Sequence, residues 1–313
     1  MKRFMIGQHG KYDEVKQQRD FRHSFYGVEA CLFENEDDID KLLEDSRKNA
    51  YRICVHFPLR AGQWRLRDAQ FLSKDLDIKK QSYDYIKEEL EYISKIGAEY
   101  VLFHYPKPVL LDPSVDWSNW RFADETEYYY DDTYSYKEFL EQSEEFFKFL
   151  SDESEKLKFI PVLEFDVLNK YIYENNGLKD LLNKYKKIRV CLDIARLHLQ
   201  DKMDEKFNGC HIARQYAKYA EVIHLSNGRI KDNLENNHYP ALRTLKIEDG
   251  WADIGAYLKI INEENDNCKI FFEHRSDLIS DEQLEDCYCW IRELLMLQHS
   301  GSNRGECKWN TKK

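Results

Sequence analysis

The sequence lacks the hydrophobic segments that would place the chain in or across a membrane. No apolar stretch approaches the roughly 20 residues that a membrane-spanning helix needs. The amino terminus, MKRFMIGQHG, has too short an apolar run for a signal-peptide core, and no small-residue cleavage site follows it. We therefore predict a cytoplasmic protein with no membrane partner.

The chain also lacks the motifs and the positive charge that are typical of proteins that bind nucleotides or nucleic acids. Neither a G-x-G-x-x-G nor a Walker sequence is present, which removes the usual support for a nucleotide cofactor. The formal net charge is -11, and such a chain repels a phosphate backbone unless a local basic patch offsets the charge. A nucleic acid is therefore a disfavoured partner.

The eight cysteines form no zinc-binding pattern, because no two pairs have the spacing of such a site. Four of them lie in or beside apparent strands, where a cysteine behaves as a small buried hydrophobic residue. These four are Cys31, Cys54, Cys191 and Cys268. We expect them to be buried thiols.

What the sequence does contain is a series of short apolar runs, each with a histidine or a carboxylate at or near its end. Such runs are typical of strands that are buried on both faces. In a barrel of parallel strands the carboxyl ends converge on one mouth, so groups far apart in sequence would meet there. Imidazoles and carboxylates are ligands for divalent cations. The six runs are ICVHF at His56, VLFHY at His104, PVLEF at Glu164, RVCLD at Asp193, EVIHL at His224 and IFFEH at Glu273.

Strand and helix patterns alternate along the chain, which predicts an α/β fold, a (β/α)8 barrel over residues 1–297. Eight strand segments are recognisable, whereas a doubly wound sheet would usually have fewer strands and a glycine-rich first turn. Three helix signals are specific. A long amphipathic helix covers Tyr136 to Leu157, Gly97 ends the helix before the fourth strand, and S-x-x-Q at Ser280 resembles a capping box.

Two stretches and the tail depart from this alternation. Residues 107–135, after the fourth strand, are too long for an ordinary βα connection and are rich in aromatic and acidic residues. This insertion is either a lid or subunit contact over the mouth, which leaves a homo-oligomer open, or a surface insertion that packs its own aromatic side chains. Residues 227–250 form the second stretch, and residues 298–313 are predicted to be a disordered tail.

The ordered set P-V-L-E-F at Glu164, C-L-D at Asp193, V-I-H-L-S at His224 and F-F-E at Glu273 resembles a known superfamily. It is similar to the xylose isomerase-like barrels, which include sugar isomerases and epimerases and the endonuclease IV type of apurinic nuclease. The likeness follows the strand order to about Leu297. Each motif alone is weak, whereas the ordered set is specific.

The resemblance implies a metal site and a pair of catalytic residues. In the epimerases a glutamate, an aspartate, a histidine and a glutamate from the last four strands bind one divalent ion, which assigns these roles to Glu164, Asp193, His224 and Glu273. The two glutamates would also flank the substrate as acid and base. Three carboxylates and one imidazole suit Mn²⁺ or Mg²⁺, and Co²⁺ or Zn²⁺ can substitute.

The nuclease members add a second metal site through histidines that end the third and fourth strands. Their counterparts here are His56 and His104. These two histidines would either complete a second metal site or orient substrate hydroxyl groups.

The chain departs from the superfamily pattern at two places. Members commonly have D-x-x-H after the sixth strand, but this chain has D-I-A-R from Asp193 to Arg196, with His198 displaced by two positions. The nearest equivalent of the D-x-H of the nucleases is N-N-H ending at His238. With both departures, two of the three ligands that are specific to the trinuclear zinc site of the nucleases would be missing. Arginine stays protonated and is no ordinary ligand. We predict that Arg196 binds an anionic substrate group, a phosphate or carboxylate, with His238 at the same distal end.

Two further residues near strand ends are candidate substrate contacts. Glu29, in GVEACLF, is either a substrate contact or a structural carboxylate, and His9, in the glycine-flanked QHG, is predicted to lie at the mouth. His274 follows Glu273 and should point to the other face of its strand, so we interpret it as structural.

Together these features predict an enzyme that acts on a small molecule. The leading hypothesis is a divalent-metal-dependent isomerase or epimerase of a sugar or sugar phosphate, which moves a proton through an enediolate. The alternative is a metal-dependent phosphodiesterase or apurinic endonuclease IV-like hydrolase, which keeps the two histidines but lacks an evident basic DNA-insertion loop. A non-catalytic binding barrel is the third hypothesis, since the D-x-x-H sequence is altered.

Overall fold

The computed structural model of the protein describes residues 2–296. The strands are β1 Phe4–His9, β2 Gly27–Cys31, β3 Arg52–His56, β4 Tyr100–Tyr105, β5 Val109–Leu111, β6 Tyr128–Tyr130, β7 Ile160–Phe165, β8 Arg189–Asp193, β9 Ala220–His224, β10 Asn227–Ile230, β11 Leu234–Tyr239 and β12 Lys269–Phe272. The helices are α1 Glu14–Asp20, α2 Glu36–Asn49, α3 Leu76–Ile96, α4 Tyr136–Leu157, α5 Lys170–Tyr173, α6 Gly177–Lys184, α7 Ile194–Met203, α8 Gly209–Tyr216, α9 Ile254–Glu264 and α10 Asp281–Met296.

Eight of the strands form a closed parallel barrel. Their spatial order is β1, β2, β3, β4, β7, β8, β9 and β12, and β12 returns to pair with β1. Helices follow most of these strands and pack around them, which confirms the predicted (β/α)8 barrel. The predicted tail, residues 298–313, lies outside the described residues.

Side chains on each barrel strand alternate between the interior and the surrounding helices, because successive residues of a strand point to opposite faces. On β7, Leu163 and Phe165 join the core beneath the helices, whereas Val162 belongs to a separate apolar layer. The other buried members of that layer are Met5, Cys54, Tyr100, Leu102, Cys191, Val222 and Phe271. It fills the barrel interior. The residue two positions after a member of this layer therefore faces inward above it.

The local helix signals identified in the sequence are present. Helix α4 covers Tyr136–Leu157, as predicted, and opens with a capping box between Ser135 and Glu138. Gly97 ends α3 in the left-handed conformation, with φ +69°, which glycine adopts at little cost. At the start of α10 the Gln283 side chain accepts from the backbone N–H of Ser280, and the Ser280 hydroxyl accepts in return.

The stretch between β4 and α4, residues 106–135, forms a small structure of its own. Strands β5 and β6 pair in parallel, and Val109, Leu111 and Trp120 form an apolar cluster with Val167 of the connection that follows β7. Leu199 of α7 packs against the same cluster. The stretch is thus fixed against the carboxyl-end side of the barrel. Its role as a lid, as a subunit contact or as a surface insertion that packs its own aromatic side chains stays a prediction.

The second long stretch, residues 227–250, contains a hairpin that was not predicted from the sequence. Strands β10 and β11 pair antiparallel after β9, and their register shifts beside Arg229. None of the helices within residues 2–296 combines the length and the apolarity needed to span a bilayer. Cys54, Cys191 and Cys268 are buried free thiols, as predicted, whereas Cys31 is only partly buried.

Candidate metal centre

The strand register brings the predicted ligands into one ring at the carboxyl ends of the barrel strands. Each ligand lies two residues after a member of the interior apolar layer, so each side chain points inward above that layer. Strand pairing sets His104 of β4 opposite Glu164 of β7, and Asp193 of β8 opposite His224 of β9. Groups far apart in the sequence therefore meet, as the strand-end pattern predicted.

Four of the ring residues, which we call the four-residue cluster, have ligand atoms close enough to hold one ion. Glu164, Asp193, His224 and Glu273 each offer one such atom, and all four atoms lie within 4.8 Å of one another. His224 Nδ1 lies 3.0 Å from Oε1 of Glu164 and 3.5 Å from Oε2 of Glu273, so its ring stands between the two glutamates. Glu164 and His224 are fully buried.

Several atoms of this cluster are buried but have no aligned hydrogen-bond partner. They are both carboxylate oxygens of Glu164, Oε2 of Glu273 and Nδ1 of His224, as judged within residues 2–296. Leaving such an atom unsatisfied typically costs about 1–3 kcal/mol, and more for a charged group. Hard carboxylate oxygens with one imidazole nitrogen, all facing one point, fit a divalent cation. The residues present thus fit the metal that the fold implies.

Glu29 fixes the orientation of His224 from the side away from the other ligands. Its carboxylate lies 3.3 Å from Nε2 of His224 and 3.4 Å from Nδ1 of His56, and it accepts a hydrogen bond from the Tyr100 hydroxyl. Burial raises the pKa of a carboxyl, but the His224 and His56 rings overcome that effect and lower the pKa of Glu29 to about 2. An ionised Glu29 favours a proton on Nε2 of His224, so Nδ1 is the nitrogen that a metal ion would bind. This geometry gives Glu29 a structural role, and contact of Glu29 with a substrate stays a prediction, since the residue also lines the cavity above the ring.

His56 and His104, which we call the histidine pair, lie next to the four-residue cluster. Their Nε2 atoms are 3.1 Å apart, and Nε2 of His104 is 3.1 Å from Oε2 of Glu164. The histidine pair and Glu164 also have ligand atoms within 4.8 Å of one another. The far nitrogen of His104, Nδ1, is 2.8 Å from Oδ1 of Asp68, a residue that the sequence analysis did not select.

Arg196 lies among the carboxylates and is largely buried. It belongs to the first turn of α7, and the backbone N–H of Arg196 donates to the Asp193 side chain, which caps this helix. Its Nη1 is 2.9 Å from Oδ1 of Asp166, its Nε is 3.2 Å from Oδ2 of Asp193, and its Nη2 is 3.1 Å from Nε2 of His104. The guanidinium charge is thus compensated within the protein. Substrate binding by Arg196 stays a prediction, and 22% of its side chain is exposed to solvent.

A buried ion-pair network supports the site from outside the ring. Lys107 is 1% exposed, and its Nζ is 2.7 Å from Asp166 and 2.9 Å from Asp68. The indole N–H of Trp120 donates to Oδ1 of Asp166 at 3.1 Å. This network was not predicted from the sequence. Asp166 could have been found, because it lies two residues after Glu164 and so on the same face, whereas Asp68 and Lys107 lie in loops without a periodic signal.

The carboxylates of the cluster differ in how readily they ionise. Burial opposes ionisation of each one. His224 and Arg196 nevertheless hold the pKa of Glu164 well below its usual range, and His224 lowers that of Glu273. For Asp193, burial and the charge of Glu273 raise the pKa to about 6, although Arg196 acts in the opposite direction. Protons and a metal ion would therefore compete most directly at Asp193.

A cavity of about 660 Å³ opens above the ring. Its lining includes both members of the histidine pair, Glu273, and the two predicted rim residues His9 and His238. Nδ1 of His238 lies 3.8 Å from Oε2 of Glu273. An adjoining cavity of about 240 Å³ is bounded by Trp120 and its neighbours in the stretch between β4 and α4. Contact of His9 and His238 with a substrate stays a prediction.

The displaced His198 does not reach this cavity. It is buried in α7, and its Nε2 lies 3.1 Å from the backbone carbonyl of Gly250. No group of metal-ligating atoms in the described part of the chain includes His198 or His238. The described residues thus form the four-residue cluster and three overlapping three-ligand groups, which are Glu29 with His56 and His224, the histidine pair with Glu164, and Cys191 with Glu164 and His224, and neither His198 nor His238 belongs to any of them.

Comparisons with known proteins agree with this architecture. A family profile described as a xylose isomerase-like TIM barrel matches residues 21–294. A sequence search of curated proteins returns no match.

Solved structures share the fold at low sequence identity. A Thermus thermophilus protein, in a crystal soaked with ZnCl2, is 16% identical, with 96% of this chain and 99% of that chain covered and a TM-score of 0.58. A D-tagatose 3-epimerase-like protein is 14% identical, with 95% and 100% covered and a TM-score of 0.62. D-psicose 3-epimerase from Clostridium cellulolyticum H10, solved with D-tagatose, is 15% identical, with 94% and 99% covered and a TM-score of 0.55. At such identities the likeness concerns the fold.

The family profile spans most of the chain, and the strands close into the barrel that this family has. The chain therefore belongs to the xylose isomerase-like TIM barrel family.

Proposed function

We propose that the protein is a divalent-metal-dependent isomerase or epimerase that acts on a sugar or a sugar phosphate. The observation that carries this proposal is the four-residue cluster, whose ligand atoms lie within 4.8 Å of one another and include buried atoms without aligned partners among residues 2–296. The cavity above it, about 660 Å³, has the size of a small-molecule site.

The cluster would hold Mn²⁺ or Mg²⁺, with Co²⁺ or Zn²⁺ as substitutes, through Glu164, Asp193, His224 and Glu273. When bound, such an ion polarises a substrate carbonyl and favours the enediolate that forms when the neighbouring C–H loses its proton. Asp193 would act only as a metal ligand.

Glu164 and Glu273 would act as the acid and the base. They lie on either side of His224, whose Nδ1 is 3.0 Å from one carboxylate and 3.5 Å from the other. Inversion at a carbon needs a proton removed on one face and returned on the other, which two separated carboxylates can do. His224 and Arg196 lower the pKa of Glu164, which keeps this carboxylate ionised, the form that a base has before it accepts a proton.

The rest of the substrate would contact the rim. His56 and His104 line the cavity beside Glu164 and could orient hydroxyl groups. His9, His238 and the exposed edge of Arg196 are placed to meet the distal end. Two of the solved structures with this fold are described as a D-tagatose 3-epimerase-like protein and as D-psicose 3-epimerase, which supports a sugar as the substrate class.

The proposal is tested by proton exchange. The Mn²⁺-loaded protein is incubated in D2O with a panel of ketoses and ketose phosphates, and deuterium incorporation next to the carbonyl is followed by NMR. We expect incorporation into at least one of them, and loss of at least about 100-fold in rate for Glu164→Gln and Glu273→Gln, because each removes an acid or base. Glu34→Gln, at an exposed carboxylate in the loop after β2, is the matched control and should retain the rate.

A metal-dependent phosphodiesterase or apurinic nuclease is the second candidate. It is favoured by the histidine pair, which forms a further three-ligand group with Glu164. Absence of exchange with every sugar, together with cleavage of a phosphodiester or an apurinic DNA duplex, would replace the first proposal with this one.

A further inference from the structure

The four-residue cluster and the histidine pair share the carboxylate of Glu164. His56, His104 and Glu164 have ligand atoms within 4.8 Å of one another, as do the members of the four-residue cluster. A carboxylate common to two such sets is typical of two-metal centres, in which the ions lie about 3.5–4 Å apart. Residue types alone would therefore allow two ions here.

The side chain of Arg196 lies where the two sets meet. Its Nε is 3.2 Å from Oδ2 of Asp193 and 3.9 Å from Oε1 of Glu164, and its Nη2 is 3.1 Å from Nε2 of His104. Its Nη1 is anchored 2.9 Å from Oδ1 of Asp166, which belongs to neither set. The guanidinium thus contacts atoms of both sets and is held in place by a third carboxylate.

We propose that Arg196 takes the place of a second divalent ion, so that the centre holds one ion, in the four-residue cluster. The inference rests on the proposed function, because it presumes that this cluster binds metal. It makes Arg196 a positioning residue that fixes the number of ions and, through that number, the class of reaction.

The first reason is the single lone pair of His104. A guanidinium offers only N–H donors, so the tautomer that fits this contact has a lone pair on Nε2 of His104, 3.1 Å from Nη2 of Arg196, and a proton on Nδ1, 2.8 Å from Oδ1 of Asp68. A cation bound by the histidine pair would need the same Nε2 lone pair. Arg196 in this position and an ion at the histidine pair therefore exclude each other.

The second reason is charge. Arginine stays protonated in proteins, and two cations a few Å apart repel strongly in a buried site. An arriving ion would have to displace the guanidinium from Asp193 and from Asp166, whose side chain is fully buried. Asp166 would then retain Lys107 as its remaining ion-pair partner among the described residues. The fold thus opposes the exchange of Arg196 for a metal ion.

The number of ions bears on the substrate class. Proton transfer next to a carbonyl needs one Lewis acid, and a fixed guanidinium beside it can meet a substrate oxygen. In-line displacement at a phosphodiester by a two-metal clamp needs a second ion for the leaving oxygen. Because Arg196 lies where that ion would be, the site favours hydroxy-carbonyl substrates over phosphodiesters.

The experiment counts bound Mn²⁺ by titration calorimetry and detects spin-coupled ion pairs by EPR. It compares the wild type with Arg196→Ala and Arg196→His. Arg275→Ala is the matched control, since Arg275 lines the same cavity but pairs with the exposed Asp277. We expect one equivalent of Mn²⁺ for the wild type and the control, and two equivalents with a coupled signal for both Arg196 variants.

Each other outcome has a distinct meaning. Two equivalents in the wild type, or a single equivalent in both folded Arg196 variants, would overturn this inference and leave the metal site of the proposed function in place. No binding by the wild type would overturn the metal site itself and the inference with it.

Thermal melts would reveal whether the Arg196 variants fold. If they do not, a second variant, His56→Ala, still tests the inference. His56→Ala keeps the arginine and its ion pairs but removes a member of the histidine pair. We expect one equivalent of Mn²⁺ with an affinity within about threefold of the wild type, since His56 is no ligand of the four-residue cluster. His56 also contacts Glu29, so the comparison is with Glu29→Gln: a loss of affinity greater than in that variant would mean that the ion uses the histidine pair despite Arg196, and would overturn the inference.

Discussion

The two sides of the barrel mouth carry similar side chains but differ in how their atoms are satisfied. In the four-residue cluster, buried atoms of Glu164, Glu273 and His224 have no aligned partner within the described residues. In the histidine pair, both nitrogens of His104 have partners, Asp68 on one side and Arg196 on the other. A ligand-type residue is therefore a good candidate for metal binding only when its lone pair is not already used by the protein.

The four-residue cluster and the histidine pair also differ in the free-energy cost of their buried polar atoms. Buried carboxylate oxygens without partners destabilise a fold, typically by about 1–3 kcal/mol each and by more when charged. The histidine pair carries no such penalty at His104. A cation would remove the penalty on the cluster side, and it would have to displace a guanidinium on the other side.

The largest effect is expected for Asp193→Asn, which tests the cluster side. The change removes a charge but keeps the shape and the hydrogen bond that caps α7. We expect the free energy of Mn²⁺ binding to weaken by roughly 3–5 kcal/mol, a loss of more than about 100-fold, with the barrel still folded. Titration calorimetry measures the affinity and circular dichroism the fold. Asp277→Asn, at an exposed carboxylate, is the control. Full metal occupancy in Asp193→Asn would show that the ion binds elsewhere.

A smaller effect is expected for Glu29→Gln. This variant tests whether the carboxylate that orients His224 contributes to metal binding by the four-residue cluster. Gln keeps the shape but removes the charge that favours a proton on Nε2 of His224. Metal affinity should fall by about 10–100-fold with the number of bound ions unchanged. Tyr100→Phe removes one hydrogen bond to Glu29 and should give a weaker change in the same direction. Unaltered affinity in Glu29→Gln would mean that His224 is oriented by packing alone.

The smallest effect on metal binding is expected for Trp120→Phe, which tests how the stretch between β4 and α4 acts on the site. Phe removes the indole N–H that donates to Asp166. We expect the free energy of unfolding to fall by about 1.5–3 kcal/mol, as for a hydrogen bond to a charged group, with metal affinity retained. Trp117→Phe is the control, because the Trp117 indole donates to a backbone carbonyl of Asp112. An increase in the Michaelis constant without a change in melting temperature would instead support a lid.

Much of the fold and of the four-residue cluster could be predicted from the sequence. The alternation of strands and helices predicted the barrel, and the position of each ligand at the end of a buried apolar run predicted that it lies at the mouth. Helix ends were predictable for the same reason, since the Gly97 stop and the capping box at Ser280 depend on neighbouring residues. These features depend on short-range periodicity, which a single sequence contains.

The partners of those side chains could not be predicted in the same way. Asp68 and Lys107 come from loops, and only the folded chain brings them against His104 and Asp166. The hairpin of β10 and β11 and the burial of His198 against Gly250 also depend on long-range contacts. Loop conformations are set by packing against the rest of the protein and leave no periodic trace in the sequence.

The sequence by itself determined which residue types stand at the barrel mouth, because strand periodicity fixes the face on which each side chain lies. Only the tertiary structure decided which of them have free lone pairs. Arg196 illustrates the difference, since the sequence showed a cation after a metal-ligating aspartate, whereas the fold placed that cation between Asp193, Asp166 and His104. The physical reason is that charge compensation depends on distances of about 3–4 Å between groups far apart in the chain.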